Sequence, residues 1–281
     1  MTLTRTRPDL CPGVCRPWSA DDGALVRLRL VGGRTTVGAV RRLHALATAH
    51  GDGRLHLTGR ANLQVRALPD PLTPEVVAAL HGTGLVPSPT HELARNVLVS
   101  PLTGRLGGRA DLRPVADELD RRLCASPALA DLPGRFLLVL DDGRGDLADR
   151  SGDLGLVVLD GDTAQLRVGE AWGPVVPLPD AAAALVERAE RFLAVRGDGP
   201  DAPWHVRELD HPLEPGQAPD RRALVTADLL PPGPVAGLPG AVHHVVADGL
   251  MDAAALDDLL TGRPDDDELV VTPWRGVLTW S

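Results

Sequence analysis

A strand, a capped helix and a further pair of strands follow one another twice in this chain, over residues 24–68 and again over residues 241–280. A repeated β-α-β unit constrains the fold more than any single motif. One copy cannot cover its own apolar sheet face, so the two are expected to superpose and to share a sheet or barrel.

In the first copy Val26-Arg27-Leu28-Arg29-Leu30 alternates, which predicts a strand with Arg27 and Arg29 on one face. Gly32-Gly33 turns the chain. Val37, Val40, Leu43 and Ala47 then recur at helical spacing, with Thr35 or Thr36 as N-cap and Gly51 as the stop. Strands are expected over residues 54–58 and 62–68. In the second copy a strand over residues 243–246 precedes a helix capped by Asp252, with Leu256, Leu259 and Leu260 inward, and then strands within residues 268–280. Leu55-His56-Leu57-Thr58 answers to Leu269-Val270-Val271-Thr272, each followed by an arginine and a second strand.

Between the copies Thr73-Pro74-Glu75 opens a short helix. A polar loop through Pro87 and Pro89 leads into residues 91–100. Leu112, Val115, Leu119 and Leu123 mark a helix, and residues 135–140 read as a strand. Runs at 154–159 and 164–168 flank Asp160-Gly161, a hairpin signal. Residues 181–195 form a helix, with Asp180 as cap and Gly197 as stop. Residues 197–220, rich in Pro, Gly and Asp, read as a linker.

The chain has 43% hydrophobic and 24% charged residues, ordinary for a globular protein with a buried core. No apolar run approaches the roughly 18–20 residues that span a bilayer. Residues 1–10 lack the apolar region of a signal peptide, so a cytoplasmic protein without a membrane partner is expected. Lys, Ile and Tyr are absent and Asn occurs twice, the mark of a GC-rich coding bias. Net charge is −9 but uneven: residues 1–150 hold 20 Arg against 16 acids, and the remainder 9 Arg against 22. Residues 24–66 hold eight Arg and one acid, Asp52. A local excess of this kind suits an anionic small ligand, while the acidic whole argues against a nucleic-acid face. Three cysteines, Cys11, Cys15 and Cys124, suggest no disulfide framework. His44, His50, His56, His243 and His244 show no zinc-ligand spacing.

Three stretches carry a resemblance. Val26-Arg27-Leu28-Arg29-Leu30-Val31-Gly32-Gly33 and Leu57-Thr58-Gly59-Arg60-Ala61-Asn62-Leu63-Gln64-Val65-Arg66 resemble the ferredoxin-like half-domain of the nitrite/sulfite reductase superfamily. Ala94-Arg95-Asn96-Val97-Leu98 resembles the start of the adjoining haem-protein domain. Cys11-Pro12-Gly13, Leu132-Pro133-Gly134-Arg135-Phe136 with Asp141-Asp142-Gly143, and Thr272-Pro273-Trp274-Arg275-Gly276 point to the precorrin-3B synthase branch, which acts in cobalamin biosynthesis. The resemblance covers most of residues 10–160 and 241–280.

It implies an α+β fold: two ferredoxin-like β-α-β half-domains related by a pseudo-twofold repeat, plus a sulfite-reductase-like α/β insert. The expected limits are residues 1–88 for the first half-domain and 89–200 for the haem-protein-like domain. A linker follows over 201–222, and the second half-domain over 223–281. It implies a tetrapyrrole ligand, sirohaem-like or a corrin precursor, whose carboxylates suit bidentate arginine forks. The candidate ligand-binding residues are Arg27, Arg29, Arg60, Asn62, Gln64, Arg66, Arg95, Asn96, Arg135 and Arg275, with Arg27 and Arg29 as alternatives for one role. No catalytic residue and no metal ligand is assigned.

Two departures stand out. Where sulfite reductases carry Lys-x-Lys this chain has Arg135-Phe136-Leu137, so the second cation is lost and anion reduction is disfavoured. The resemblance also implies a 4Fe–4S cluster held by cysteines in a domain after the second half-domain. The sequence given ends at Ser281, and its three cysteines do not stand at matching positions. The leading expectation is an oxidoreductase similar to precorrin-3B synthase. Its rivals are a non-catalytic tetrapyrrole-binding protein and one subunit of a split reductase, with a partner chain or a homo-oligomer covering apolar surface near Trp274 and Trp280.

Overall fold

The computed structural model describes residues 9–199 and 201–281. The chain forms two compact units. One, the repeat unit, comprises Pro12–Glu92 and Leu230–Ser281; the other, the insert unit, comprises residues 9–11 and Leu93–Leu229.

The repeat unit opens with β1 (Trp18–Ala20), β2 (Gly23–Leu28) and β3 (Arg34–Thr36), then α1 (Val37–His50). Val37, Val40, Leu43 and Ala47 share the buried face of α1, as their spacing predicts. Of the two threonines offered as N-cap, Thr36 is the one used: its hydroxyl accepts from the Ala39 N–H at 3.3 Å. Gly51 ends the helix. After α1 come β4 (Leu55–Leu57), β5 (Leu63–Leu68) and α2 (Pro74–Gly82), the last capped by Thr73.

In the insert unit β6 (Val97–Val99) is followed by α3 (Arg113–Ala125), β7 (Leu138–Asp141), β8 (Leu154–Val158), β9 (Thr163–Val168), β10 (Ala171–Pro177) and α4 (Ala181–Arg196). They form one sheet in the order β10-β9-β8-β7-β6, parallel from β6 to β8 and antiparallel from β8 to β10. Helices α3 and α4 pack on each other, and α4 packs on β8 and β9. Phe136 and Phe192, both fully buried, meet beneath α4 with ring centroids 4.9 Å apart.

Several expectations shift here. The strand expected from residue 135 starts at Leu138, because the Leu137 N–H turns to the Asp153 carboxylate at 2.8 Å. Asp180 lies in a helical conformation and makes no side-chain cap, so α4 continues a preceding 3-10 turn rather than starting at a cap. Gly197 does stop it, at φ 67°. Residues 201–222, expected as a linker, lie within the insert unit. Ala202, Val206 and Leu213 are buried there, and the Asp153 carboxylate accepts from the Val206 N–H at 2.9 Å.

The chain then re-enters the repeat unit through β11 (Gly233–Pro234), β12 (Val242–Val245), β13 (Leu250–Met251), α5 (Ala253–Leu260), β14 (Glu268–Val271) and β15 (Gly276–Thr279). Asp252 caps α5 through the Ala255 N–H at 3.0 Å. The two copies are built alike. One sheet runs β1-β2-β5-β4-β13 and the other β11-β12-β15-β14-β3. Each copy lends its third strand to the other's sheet: β13 pairs with β4, and β3 with β14. The copies therefore form two sheets joined by exchanged edge strands, not one shared sheet. That exchange closes two edges that would otherwise be open for pairing.

The turns repeat in detail. Between β4 and β5, Thr58 and Asn62 pair through Thr58 N–H to Asn62 O at 3.0 Å, with Ala61 at φ 55°. Between β14 and β15, Thr272 N–H reaches Gly276 O at 2.8 Å, with Arg275 at φ 58°. The left-handed pairs Gly32-Gly33 and Asp248-Gly249 precede β3 and β13 in the same way.

Candidate functional site

Strand register fixes which expected ligand residues share a face. Arg27 on β2 stands opposite Gln64 on β5, and Gln64 opposite His56 on β4. These side chains are half-buried, while Val26, Leu28, Leu63 and Val65 point into the core. With its carboxamide oxygen turned to Arg27, Gln64 accepts from Nη2 at 2.7 Å and Nε at 2.9 Å. Arg66, further along β5, forms a bidentate pair with Asp22 at 3.1 and 3.2 Å. The guanidinium holds the Asp22 carboxyl below its ordinary range. His56 Nε2 lies 2.8 Å from Asp52. Arg60 sits in the β4–β5 turn, half-buried, and Arg275 sits exposed in the equivalent β14–β15 turn.

Other expected residues have structural tasks. Arg29 lies one residue past the end of β2, is 3% exposed, and donates Nη1 to the Pro12 carbonyl at 3.1 Å. Asn62, buried, accepts the Leu30 N–H at 2.9 Å and so ties the β4–β5 turn to the end of β2. In the insert unit Arg95 is 6% exposed and makes a fork–fork pair with Asp120, Nε at 2.6 Å and Nη2 at 2.8 Å. Asn96 is buried and donates Nδ2 to the Gly134 carbonyl at 2.7 Å. Arg135 is exposed, with its guanidinium 5.0 Å from the Trp204 ring centroid and 3.7 Å from Asp9. Thus Arg27, Gln64 and Arg66 share one sheet face, whereas Arg29, Asn62, Arg95 and Asn96 are buried in contacts of the fold.

The cysteines are set apart from one another in environment: Cys11 buried, Cys15 exposed, Cys124 half-buried. Desolvation of the Cys15 thiol, reinforced by the Glu92 carboxylate, pushes it up to about 11, so it is a thiol rather than a thiolate at neutral pH.

Sequence reasoning missed a buried acidic group at the C-terminal end of β7. Asp141, Asp142 and Asp146 bring carboxylate oxygens within 4.8 Å of one another. Each is engaged by the chain. Asp141 accepts the N–H groups of Gly143, Gly145 and Leu147, Asp142 pairs with Arg144, and Asp146 accepts from Ser100 Oγ at 2.7 Å. Burial, with Asp141 adding to it, pushes the Asp146 carboxyl up to about 7 despite the Ser100 bond and nearby Arg144. A folded-state value above the unfolded one means a stability contribution that is full below about pH 4 and is lost as pH rises through 7. Asp146→Asn is neutral at every pH. Its stability relative to the wild type is therefore expected to rise by about 1–3 kcal/mol between pH 5 and pH 8 in urea titrations. A difference that stays flat across that range would contradict the burial argument.

No helix among the described residues is long and apolar enough to cross a membrane. Two exchanged-strand copies, an insert sheet and an arginine-bearing sheet face define an α+β protein built on a doubled half-domain. Residues 19–82 match the nitrite/sulfite reductase ferredoxin-like half-domain family, and the chain's resemblance is to the nitrite/sulfite reductase superfamily. A precorrin-3B synthase of Sinorhizobium sp is 32% identical over 143 residues, 50% of this chain and 30% of that protein. Among solved structures the NirA protein of Mycobacterium tuberculosis has the same fold, with a TM-score of 0.67 at 20% identity, covering 94% of this chain and 56% of that one. The likenesses thus span less than a third of the synthase and little more than half of NirA.

Proposed function

We propose that this protein is an oxidoreductase similar to precorrin-3B synthase that binds a carboxylate-rich tetrapyrrole, a sirohaem-like group or a corrin precursor, in cobalamin biosynthesis. The observation that carries the reading is the shared face of Arg27, Gln64 and Arg66, within the stretch that matches the half-domain family. A macrocycle fringed with carboxylates needs several guanidinium forks on one surface. Among the described residues Arg66 is paired with exposed Asp22, a weak type of ion pair that a ligand carboxylate can replace. Arg60, in the adjoining turn, extends the same set. These residues fit the group.

The chain's own part is binding and orientation. Arg27 is held in the sheet by Gln64, which takes its Nε and Nη2 donors and fixes its charge on this face, while Arg60 and Arg66 add charge. When bound, a sirohaem-like group would supply the redox chemistry. A cubane takes four thiolates, and these residues include three cysteines, one with a raised thiol. A 4Fe–4S centre working with the tetrapyrrole would therefore draw at least one ligand from outside these 281 residues.

Arg60→Ala and Arg66→Ala test it. Each is expected to weaken uroporphyrin binding about 3–10-fold, read from the Soret band, with thermal stability nearly unchanged because neither guanidinium is buried in the core. Unchanged affinity in both variants would exclude this face as the carboxylate cradle.

A further inference from the structure

A cavity of about 280 Å³ lies wholly within the insert unit and plays no part in the tetrapyrrole reading. Strand register places Val139, Gly155, Arg167 and Trp172 in one row across β7, β8, β9 and β10. This row forms one wall, and residues 223–226 form another. The lining is largely apolar, with Val139, Leu147, Val157 and Val225 among it. Two cations enter it, Arg150 and Arg167. The Nε of each is buried and has no hydrogen-bond partner.

Among the described residues the ion-pair partner of Arg150 is the mostly exposed Asp149, and none is seen for Arg167. The Arg167 guanidinium lies 4.3 Å from the Trp172 ring centroid, a cation–π contact that fixes the fork but leaves its buried Nε–H without an acceptor. Burial pulls the Arg167 pKa down, with Glu170 opposing only through space. Asp149, itself mostly exposed, approaches Arg150 Nε at 3.5 Å without forming a hydrogen bond. Asp141 also lines the cavity, but its oxygens are taken by the N–H groups of Gly143, Gly145 and Leu147. A buried donor without a partner is costly, more so on a charged group. An anion with an apolar body meets both features at once, the unpartnered Nε donors and the apolar wall.

We propose that this cavity binds a small amphipathic monocarboxylate, an aryl- or branched-alkyl acid, with its carboxylate on the Arg167 and Arg150 forks and its apolar body beside Trp172. The site is distinct from the sheet face of the repeat unit.

The full chain is titrated calorimetrically with 3-phenylpropionate and with 3-phenylpropan-1-ol, which has the same apolar body and no charge. One acid per chain is expected to bind, with the alcohol about tenfold weaker or more. Arg167→Gln is expected to lower affinity for the acid by about tenfold and to leave the alcohol unchanged. Arg150→Gln gives the same reading should the first variant fail to fold, which circular dichroism checks. Uroporphyrin binding by either variant should match the wild type, which separates this site from the other. Equal affinity for acid and alcohol, unaltered acid affinity in the glutamine variants, or no saturable binding up to about 10 mM acid would overturn the proposal.

Discussion

Gly33→Ala is expected to destabilise the protein by about 3 kcal/mol or more. Two costs add. At φ 71° the backbone is left-handed, which for an L side chain costs roughly 1–2 kcal/mol. The added Cβ would also stand 2.1 Å from the Val271 carbonyl oxygen, a backbone atom inside β14 that cannot rotate away. Relief requires moving β3 from β14, which breaks the register Arg34–Val270 and opens the exchanged edge. Overpacking of this kind costs about 1–3 kcal/mol. The pseudo-symmetric Gly249→Ala meets the Leu57 carbonyl at 2.8 Å and should be the milder of the two. Urea titration of both variants checks this. A loss under about 1 kcal/mol for Gly33→Ala would mean that the strand exchange is looser than described.

Arg95→Ala is expected to cost about 3–5 kcal/mol, because it strands the Asp120 carboxylate against the side of α3. The Arg95 side chain is 8% exposed and that of Asp120 23%, so water screens the pair poorly. Replacing both residues by leucine should recover much of the loss, since an apolar pair carries no desolvation penalty. A double-mutant cycle measures the coupling. Single and double variants of equal, small effect would show the pair to be a surface ornament. The result bears on function too. Arg95 is a candidate ligand residue in the sequence, yet the Nε/Nη2 edge of its guanidinium is taken by Asp120.

Local signals were legible wherever the physics is local. Thr36, Thr73 and Asp252 cap α1, α2 and α5 as their positions suggest, and the apolar spacing of α1 and α3 marks their buried faces. The exchanged strands were not legible. Arg34–Thr36 and Leu250–Met251 are too short to show alternation, and their partners lie more than 190 residues away in sequence. Asn62 and Asn96, the two asparagines of the chain, are both buried and tie separate segments together through backbone groups. Arg29 shares its parity with Arg27, but β2 ends at Leu28, and beyond it alternation no longer decides which way a side chain faces. The Arg150–Arg167 cavity is assembled from three separate segments, and only Arg167 and Trp172, neighbours across a tight hairpin, could have hinted at it.

The most direct test of the central claim is an equilibrium titration of the 281-residue protein with uroporphyrin, which carries eight carboxylates, against deuteroporphyrin, which carries two. If guanidinium forks on the β2–β5 face hold the ligand, uroporphyrin should bind at one per chain, about tenfold or more tighter than deuteroporphyrin, with an affinity that falls as salt is raised. Equal affinities for the two porphyrins, or binding indifferent to salt, would contradict a carboxylate cradle on this face.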